Sequence, residues 1–453
     1  MGAVKTGRGA AKSQGAAAPP GSAGLAARAL ALDAVSQTLR RRGALDEIFD
    51  ALAAEAGLEA RDSGLARAIA VVTFRRWGTI RRALEERLER GLPREERLVH
   101  LLAIGAAQVL FLDVPDHAAV DLSVRLAQSE RTNRAHAGLV NAVLRRFIRE
   151  RDAILAASDP LADDAPAWLA ARWRAAYGEE TAQVIATAHR DAASVDLTVR
   201  ADPEAWAARL NGLLLPTGSL RLLDRTPVRE LPGYEEGAWW VQDAAAALPA
   251  RLLDVRPGER VVDLCAAPGG KTAQLAAAGA QVLAVDRSAK RLERLSANMA
   301  RLGLAVETRA VDAQTLDAEP FDAVLLDAPC TATGTLRRHP DVAWTKAAED
   351  VGRLADLQAR LLDKAASLVR PGGRLVYCTC SLEPEEGGEQ VSAFLARHPG
   401  FERRPIEAGE IGDLAEAVTA AGDLRTLPSH LGSLDPGRRG FDGFYAARLV
   451  RRS

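Results

Sequence analysis

From Arg260 onward five short apolar runs, ERVVDLC, QVLAVD, VETRAVD, FDAVLLD and GRLVYCTC, alternate with stretches of helical periodicity. Strands of this length cannot reverse into parallel neighbours without a crossover, and helices between them supply it. The runs are nearly continuous in apolar residues rather than alternating, which is the mark of strands covered on both faces. This half of the chain therefore reads as an α/β fold with a mainly parallel sheet. Such sheets bind ligands at the carboxyl ends of their strands, so chemistry is expected in the residues that follow each run.

The first run leads into Cys265, Ala266, Ala267, Pro268, Gly269, Gly270, Lys271 and Thr272 and opens a helix. Small residues let a ligand approach the backbone, and a helix N-terminus offers free N–H groups to a carboxylate. A phosphate-binding loop would require glycine at Cys265, and the dinucleotide pattern GxGxxG is absent. A tight turn with no ligand is the plain alternative. Asp286 closes the second run, where nucleotide folds place an acid against ribose hydroxyls, while Asp312 and Asp327 close the third and fourth. Any one of these acids could be a helix N-cap. Three in successive units beside a glycine-rich first turn point to a nucleoside ligand.

The rest of the 453 residues divides by composition. Residues 1–24 are rich in Ala, Gly, Ser and Pro and are expected to be a disordered tail. Residues 25–150 show repeated helical periodicity, and Val140, Val143, Leu144, Phe147 and Ile148 form one apolar stripe with Arg145 and Arg149 on another face. A Pro/Asp-rich break opens residues 151–245, read as a linker and small α/β subdomain with a strand at Val195–Asp202, and residues 246–453 hold the repeating α/β domain. Net charge is −1, but residues 1–150 carry 23 Lys and Arg against 17 Asp and Glu, so the front of the chain is positive and the remainder negative. A basic helical domain suits a polyanion, and solvated arginine faces suit it equally. Four cysteines in so large a chain make no disulfide framework. Neither a signal peptide nor an apolar stretch of about 18 residues is evident, so a cytoplasmic protein without membrane attachment is expected.

The segments DLCAAPGGKT, LLDAPCTATGTLRRHPD and YCTCSLEPEEGGEQV, with the acids at Asp286 and Asp312, resemble the RNA cytosine-5 methyltransferases. RLVHLLAIGAAQVLFLDVPDHAAV and GLVNAVLRRFIRE resemble the NusB-like helical domain, and the combination is similar to the RsmB/Sun (Fmu) family, which methylates 16S ribosomal RNA. The resemblance implies a Rossmann-like class I methyltransferase domain behind an all-helical NusB-like domain, with S-adenosylmethionine as cofactor and RNA as partner. It implies that Cys265, Ala266, Ala267, Pro268, Gly269, Gly270 and Lys271 cradle the methionine part. By the same resemblance Asp286 meets the ribose, Asp312 lies by the adenine, and Asp327 sits between cofactor and target base. No obligate protein partner is evident.

Carbon 5 of cytosine becomes nucleophilic only after a thiolate adds to carbon 6, so the implied chemistry demands a cysteine beside the cofactor. Cys330 and Cys380 both qualify, and chemistry alone does not choose between them. The resemblance assigns Cys380 as nucleophile, Cys330 to proton removal or product release, and Asp327 to the target base. Lys271 reads either as a cation that raises the thiolate fraction or as a solvated lysine. Cys378 reads as a buried small residue. No metal site is expected, since Cys378 and Cys380 are too close in sequence for the usual zinc spacing. The RRHP run from Arg337 to Pro340 is either an RNA contact or an exposed basic loop. Two other functions fit much of the same sequence: a transfer RNA cytosine-5 methyltransferase, and a non-catalytic RNA-binding or antitermination factor. Intact Asp327, Cys330 and Cys380 weigh against the latter.

Overall fold

The structure, a computed structural model, describes residues 22–224, 226–432, 434 and 440–453. The tail expected over residues 1–24 lies almost wholly outside them. Two compact units are present, the first made of residues up to Gln37, Asp46–Thr73 and Leu84–Leu155, the second of Thr38–Leu45, Phe74–Ala83 and Ala156–Ser453. No described helix is long and apolar enough to cross a membrane.

The first unit is helical, as the periodicity predicts. Its helices are α1 (Ser22–Arg41), α2 (Leu45–Ala56), α3 (Ala60–Arg75), α4 (Trp77–Arg87), α5 (Glu96–Phe111), α6 (Asp116–Ser129), α7 (Ala137–Arg149) and α8 (Arg151–Ala156), with parts of α1, α3 and α4 counted in the second unit. The stripe read on α7 is the buried one: Val140, Val143, Leu144 and Phe147 are covered. Helix α5 is buried almost all round from Leu98 to Leu110, as a central helix must be.

The second unit begins with α9 (Ala167–Tyr177) and α10 (Glu179–His189). A four-stranded antiparallel sheet follows, formed by β1 (Asp196–Val199), β2 (Gly212–Leu214), β3 (Leu220–Leu222) and β4 (Trp239–Val241) with α11 (Pro203–Arg209) beside it, in the order β2-β3-β1-β4. The remaining elements are α12 (Leu248–Leu252), β5 (Arg260–Leu264), α13 (Gly270–Ala277), β6 (Gln281–Asp286), α14 (Ala289–Leu302), β7 (Glu307–Ala310), β8 (Phe321–Asp327), α15 (Val342–Thr345), α16 (Ala348–Leu368), β9 (Val369–Thr379), α17 (Gly388–Arg397), β10 (Phe401–Arg403), β11 (Leu424–Thr426) and β12 (Phe444–Arg451). They build an eight-stranded sheet in the order β10-β12-β9-β8-β5-β6-β7, with β11 paired to β12. Strands β5 to β9 are mutually parallel where they pair, and β10, β11 and β12 are antiparallel additions.

Alternation along β8 distributes its side chains to two separate cores. Ala323 and Leu325 join Val261, Leu248, Leu275 and Val376 on one face, while Val324 and Leu326 join Val262, Leu264, Leu361 and Phe394 on the other. Each fully buried aliphatic side chain contributes about 1.5–3 kcal/mol, so both faces must be clad. The edge strand β7 is the exception, with all four residues exposed. Strand order reverses at β5, which has β8 on one side and β6 on the other, and a crevice opens at such a point beyond the carboxyl ends.

Candidate active site

Every predicted site residue lies at that carboxyl edge. The loop Cys265–Gly269 follows β5, Asp286 ends β6, Asp312 lies two residues past β7, Asp327 ends β8 with Cys330 just beyond, and Cys380 follows β9. Parallel pairing sets Asp327 opposite Cys378, so the loops after β8 and β9 leave the sheet side by side. The sulfurs of Cys330 and Cys380 consequently approach to 3.5 Å although they are 50 residues apart. No described cysteine is in a disulfide.

A tight backbone contact holds the two loops together. Gly334 donates its N–H to the carbonyl of Cys380, and its own carbonyl accepts from Gly443. A Cβ at Gly334 would fall 1.9 Å from the Gly443 oxygen, so only glycine fits there.

Beside the thiols sits Asp327. Its Oδ2 accepts from Lys271 Nζ at 2.8 Å, and its Oδ1 lies 3.5 Å from the Cys378 sulfur. Lys271 is buried, not solvated, and its ammonium also lies 4.8 Å from the centre of the Phe444 ring. Burial opposes its charge, but the Asp327 carboxylate and other nearby negative groups outweigh burial and raise its pKa above the ordinary lysine value. Lys271 thus belongs to the aspartate. Cys330 has a strongly raised pKa, through its hydrogen bond with Cys380, then burial, then repulsion from Cys380 and Glu386. Cys265, in a left-handed conformation with φ 63°, is pushed up to about 12, first by burial and then by the acids around it. It is an inert loop residue. Cys378 is fully buried, as read.

A cleft of about 260 Å3 opens among Gln242, Asp243, Ala266, Pro268, Lys271 and Asp327. Cys265, Ala267 and Gly269 shape the same loop without lining it. Gly269 has φ 103°, and a Cβ on it would strike Leu295 at 2.7 Å. Asp286 is buried, accepting from Ser288 N at 2.9 Å and Ala267 N at 3.3 Å and pairing with Arg291 at 3.2 Å, so it fastens the loop to β6. The Asp312 carboxylate accepts from Gln314 N at 2.9 Å and caps the turn after it.

The loop fits a bound cofactor on one further observation. Asp263 accepts from Thr272 through Oδ2, yet its buried Oδ1 has no partner among the described residues. Burial pushes this carboxyl up to about 7, against the Thr272 hydrogen bond and with the help of Asp327 and Asp286. An unmatched acceptor at the first turn of α13, beside a loop of small residues, suits a ligand carrying polar hydrogens.

Gln242 and Asp243 carried no signal of their own in the sequence. Gln242 accepts from Trp240 Nε1 and Thr198 and donates to Gln274, which ties β4 and β1 to α13. Asp243 pairs with Arg338, which also reaches Asp442 at 2.9 Å. Within the RRHP run Arg337 is buried and Arg338 is engaged in these pairs, while His339 is exposed, so the two arginines do not form an exposed basic loop.

Comparison with known proteins agrees with this geometry. The profile of the 16S rRNA methyltransferase RsmB/F family matches residues 250–450, and that of the NusB family matches residues 25–149. Ribosomal RNA small subunit methyltransferase B of Klebsiella pneumoniae is 34% identical over 444 residues, covering 94% of this chain and 98% of that protein. The chain belongs to the ribosomal RNA small subunit methyltransferase B family. The Vibrio vulnificus member is likewise 34% identical over 448 residues, covering 94% and 99% of the two chains. Among solved structures, that of PH0851 superposes with a TM-score of 0.74 at 24% identity over 94% of this chain and 98% of its own. A methyltransferase homologue from Pyrococcus horikoshii gives 0.52 at 27% identity over 62% and 94%. The β5–β12 sheet is a class I methyltransferase fold, and S-adenosylmethionine is the cofactor of this methyltransferase.

Proposed function

We propose that this enzyme methylates carbon 5 of a cytosine in 16S ribosomal RNA, in the cytoplasm, through a covalent adduct between Cys380 and carbon 6 of the base. The observation that carries this reading is the pair of sulfurs 3.5 Å apart beside the Lys271–Asp327 pair. One hydrogen bond joins the Cys330 and Cys380 thiols, and that bond first, then burial, raises the pKa of Cys330. The resemblance gives the attack to the Cys380 sulfur. Asp327, kept in place by Lys271, hydrogen-bonds the target base and stabilises the ring protonated at N3 during the attack, and that proton leaves again when the thiolate is expelled. S-adenosylmethionine, when bound, would supply an electrophilic methyl group for carbon 5 of the adduct, with S-adenosylhomocysteine as the leaving group. Cys330 then serves removal of the carbon 5 proton, and expulsion of the Cys380 thiolate restores the aromatic ring. Cys265–Lys271 together with Asp286 and Asp312 would hold the cofactor.

Methylating a 16S rRNA transcript with cofactor labelled in the methyl group, then digesting to nucleosides, tests the reading directly. The label is expected in 5-methylcytidine. Label in another nucleoside, or in transfer RNA but not 16S rRNA, would reject the base or the substrate.

RNA docking is proposed for the helical unit, within a division of the chain at residues 24, 150 and 245. A cleft of about 770 Å3 there is floored by Leu98, Leu139 and Val143 and rimmed by exposed Arg90, Arg94 and Arg149. Arg87 and Arg146 are engaged with Glu150 at 2.9 and 2.8 Å, which leaves the exposed three for phosphates. Each phosphate contact to single-stranded RNA adds roughly 0.7 to the slope of log affinity against log salt. Replacing the three with alanine is expected to flatten that slope by about 2 and to leave cofactor binding unchanged. An unaltered slope in filter binding would remove the cleft from the substrate path.

A further inference from the structure

A buried acid outside the reacting pair carries an inference of its own. Glu386, fully buried, ends the single helical turn Pro384–Glu386. Its Oε1 accepts from Thr331 N at 2.9 Å and from Gln358 Nε2 at 3.0 Å, and its Oε2 accepts from the Thr331 hydroxyl. Thr331 is the residue after Cys330. On the other side of Cys330, the carbonyl of Pro329 accepts from the same Gln358 amide at 2.9 Å. The Cys330 backbone is thus gripped from both flanks, on one by Glu386 and on the other by a glutamine that Glu386 itself holds.

The acid is in turn anchored to the strand that leads to Cys380. Its backbone carbonyl accepts from Tyr377 Oη at 2.9 Å and Thr379 Oγ1 at 3.0 Å, both on β9. The Thr331 hydroxyl also lies 3.2 Å from that of Ser381, the residue after Cys380. Burying a carboxylate among apolar strands is unfavourable unless donors surround it. Here burial raises its pKa while the hydroxyl, backbone and amide donors of Ser381, Thr331 and Gln358 work against the rise. Such an arrangement exceeds what turn-packing alone needs.

We propose that Glu386 is a positioning residue that sets Cys330 against Cys380, and that it governs release of the RNA adduct more than its formation. The inference rests on the two-thiol reading above. Cys380 directly follows β9, a long strand paired on both sides by β8 and β12, and that strand holds it when the Glu386 side chain is cut back and its bond to Ser381 is lost. Cys330 sits on a loop whose next residue is held by that side chain. Glu386 reaches both flanks of Cys330, through Thr331 and Gln358, but only one of Cys380, through Ser381, so loosening it displaces the resolving thiol more than the attacking one.

The test is Glu386→Ala, Glu386→Gln and Cys330→Ala, each as the full chain with 16S rRNA and S-adenosylmethionine. Adduct is read on denaturing gels, turnover by methyl transfer, and cofactor affinity by titration. Glu386→Ala is expected to accumulate adduct at least about fivefold over the unaltered enzyme while turnover falls at least about tenfold, a loss of roughly 1.4 kcal/mol in barrier terms. Cofactor affinity should stay within about twofold. Glu386→Gln should recover most of the turnover, since its amide oxygen still accepts from Thr331 N. A role confined to stability would lower adduct and turnover together, and that result overturns the proposal. Should Glu386→Ala not fold, Gln358→Leu frees the Pro329 side and must show the same accumulation. If Cys330→Ala itself accumulates no adduct, the two-thiol reading fails; if it does and the Glu386 and Gln358 variants do not, only the positioning role is lost.

Discussion

Cys330→Ala enzyme mixed with RNA and S-adenosylmethionine should run on a denaturing gel as a protein–RNA adduct, and Cys380→Ala enzyme should run free. The two thiols share one hydrogen bond at 3.5 Å, so each substitution removes half of the same pair. Their remaining surroundings differ. Cys380 follows the central strand β9 and stays aimed when Cys330 is shortened, so attack on carbon 6 and methyl transfer can proceed. What is missing is the group that serves the last proton removal, and the base stays bound to the protein. Without Cys380 no adduct is expected, and turnover should fall by on the order of 10³-fold or more, because the thiol assigned to the addition is gone. Adduct from Cys380→Ala and none from Cys330→Ala would exchange the two roles.

Lys271→Met is the second large expected effect. The side chain keeps nearly the same length and its packing near Phe444, but Asp327 loses the ammonium at 2.8 Å. A hydrogen bond to a charged group is worth about 1.5–3 kcal/mol. That corresponds to roughly a ten- to hundredfold loss in rate if it falls wholly on the chemical step. Since the Asp327 carboxylate is about one-third exposed, with side-chain exposure of 32%, water can compensate in part, and the lower half of that range is expected. Lys271→Arg should restore little, because a planar guanidinium does not fit the buried space of an ammonium. Single-turnover methylation and cofactor titration separate the outcomes. A loss confined to cofactor affinity would show that Lys271 serves the loop and not the aspartate.

Much of the site was legible because its chemistry is local. Glycines after an apolar run, acids at strand ends and cysteines in the turns after two strands stand within a few residues of the elements that present them. The α7 stripe was legible for the same reason, since a period of 3.6 shows over a dozen residues. Three readings depended on neighbours far away in sequence. Lys271 read equally as a cation serving the thiols and as a solvated first-turn lysine until Asp327, 56 residues later, was placed beside it. The RRHP run looked exposed until Asp243 and Asp442 reached Arg338 from 95 and 104 residues away. No role was legible for Gln242, or for Glu386 inside the YCTCSLEPEEGGEQV segment, because a buried polar side chain is defined by its partners.

The sequence by itself determined the five strands of the parallel sheet, which ends of them carry reactive groups, and that two cysteines compete for one role. Those properties follow from periodicity and side-chain chemistry over short spans. Only the tertiary structure decided which groups meet. Parallel pairing of β8 with β9 set Asp327 against Cys378 and so drew Cys330 to Cys380. The order β8-β5-β6 brought α13 and its lysine to the same edge. Register is a cooperative property of the whole sheet, fixed by burial of both faces at once, and no window of the chain contains it.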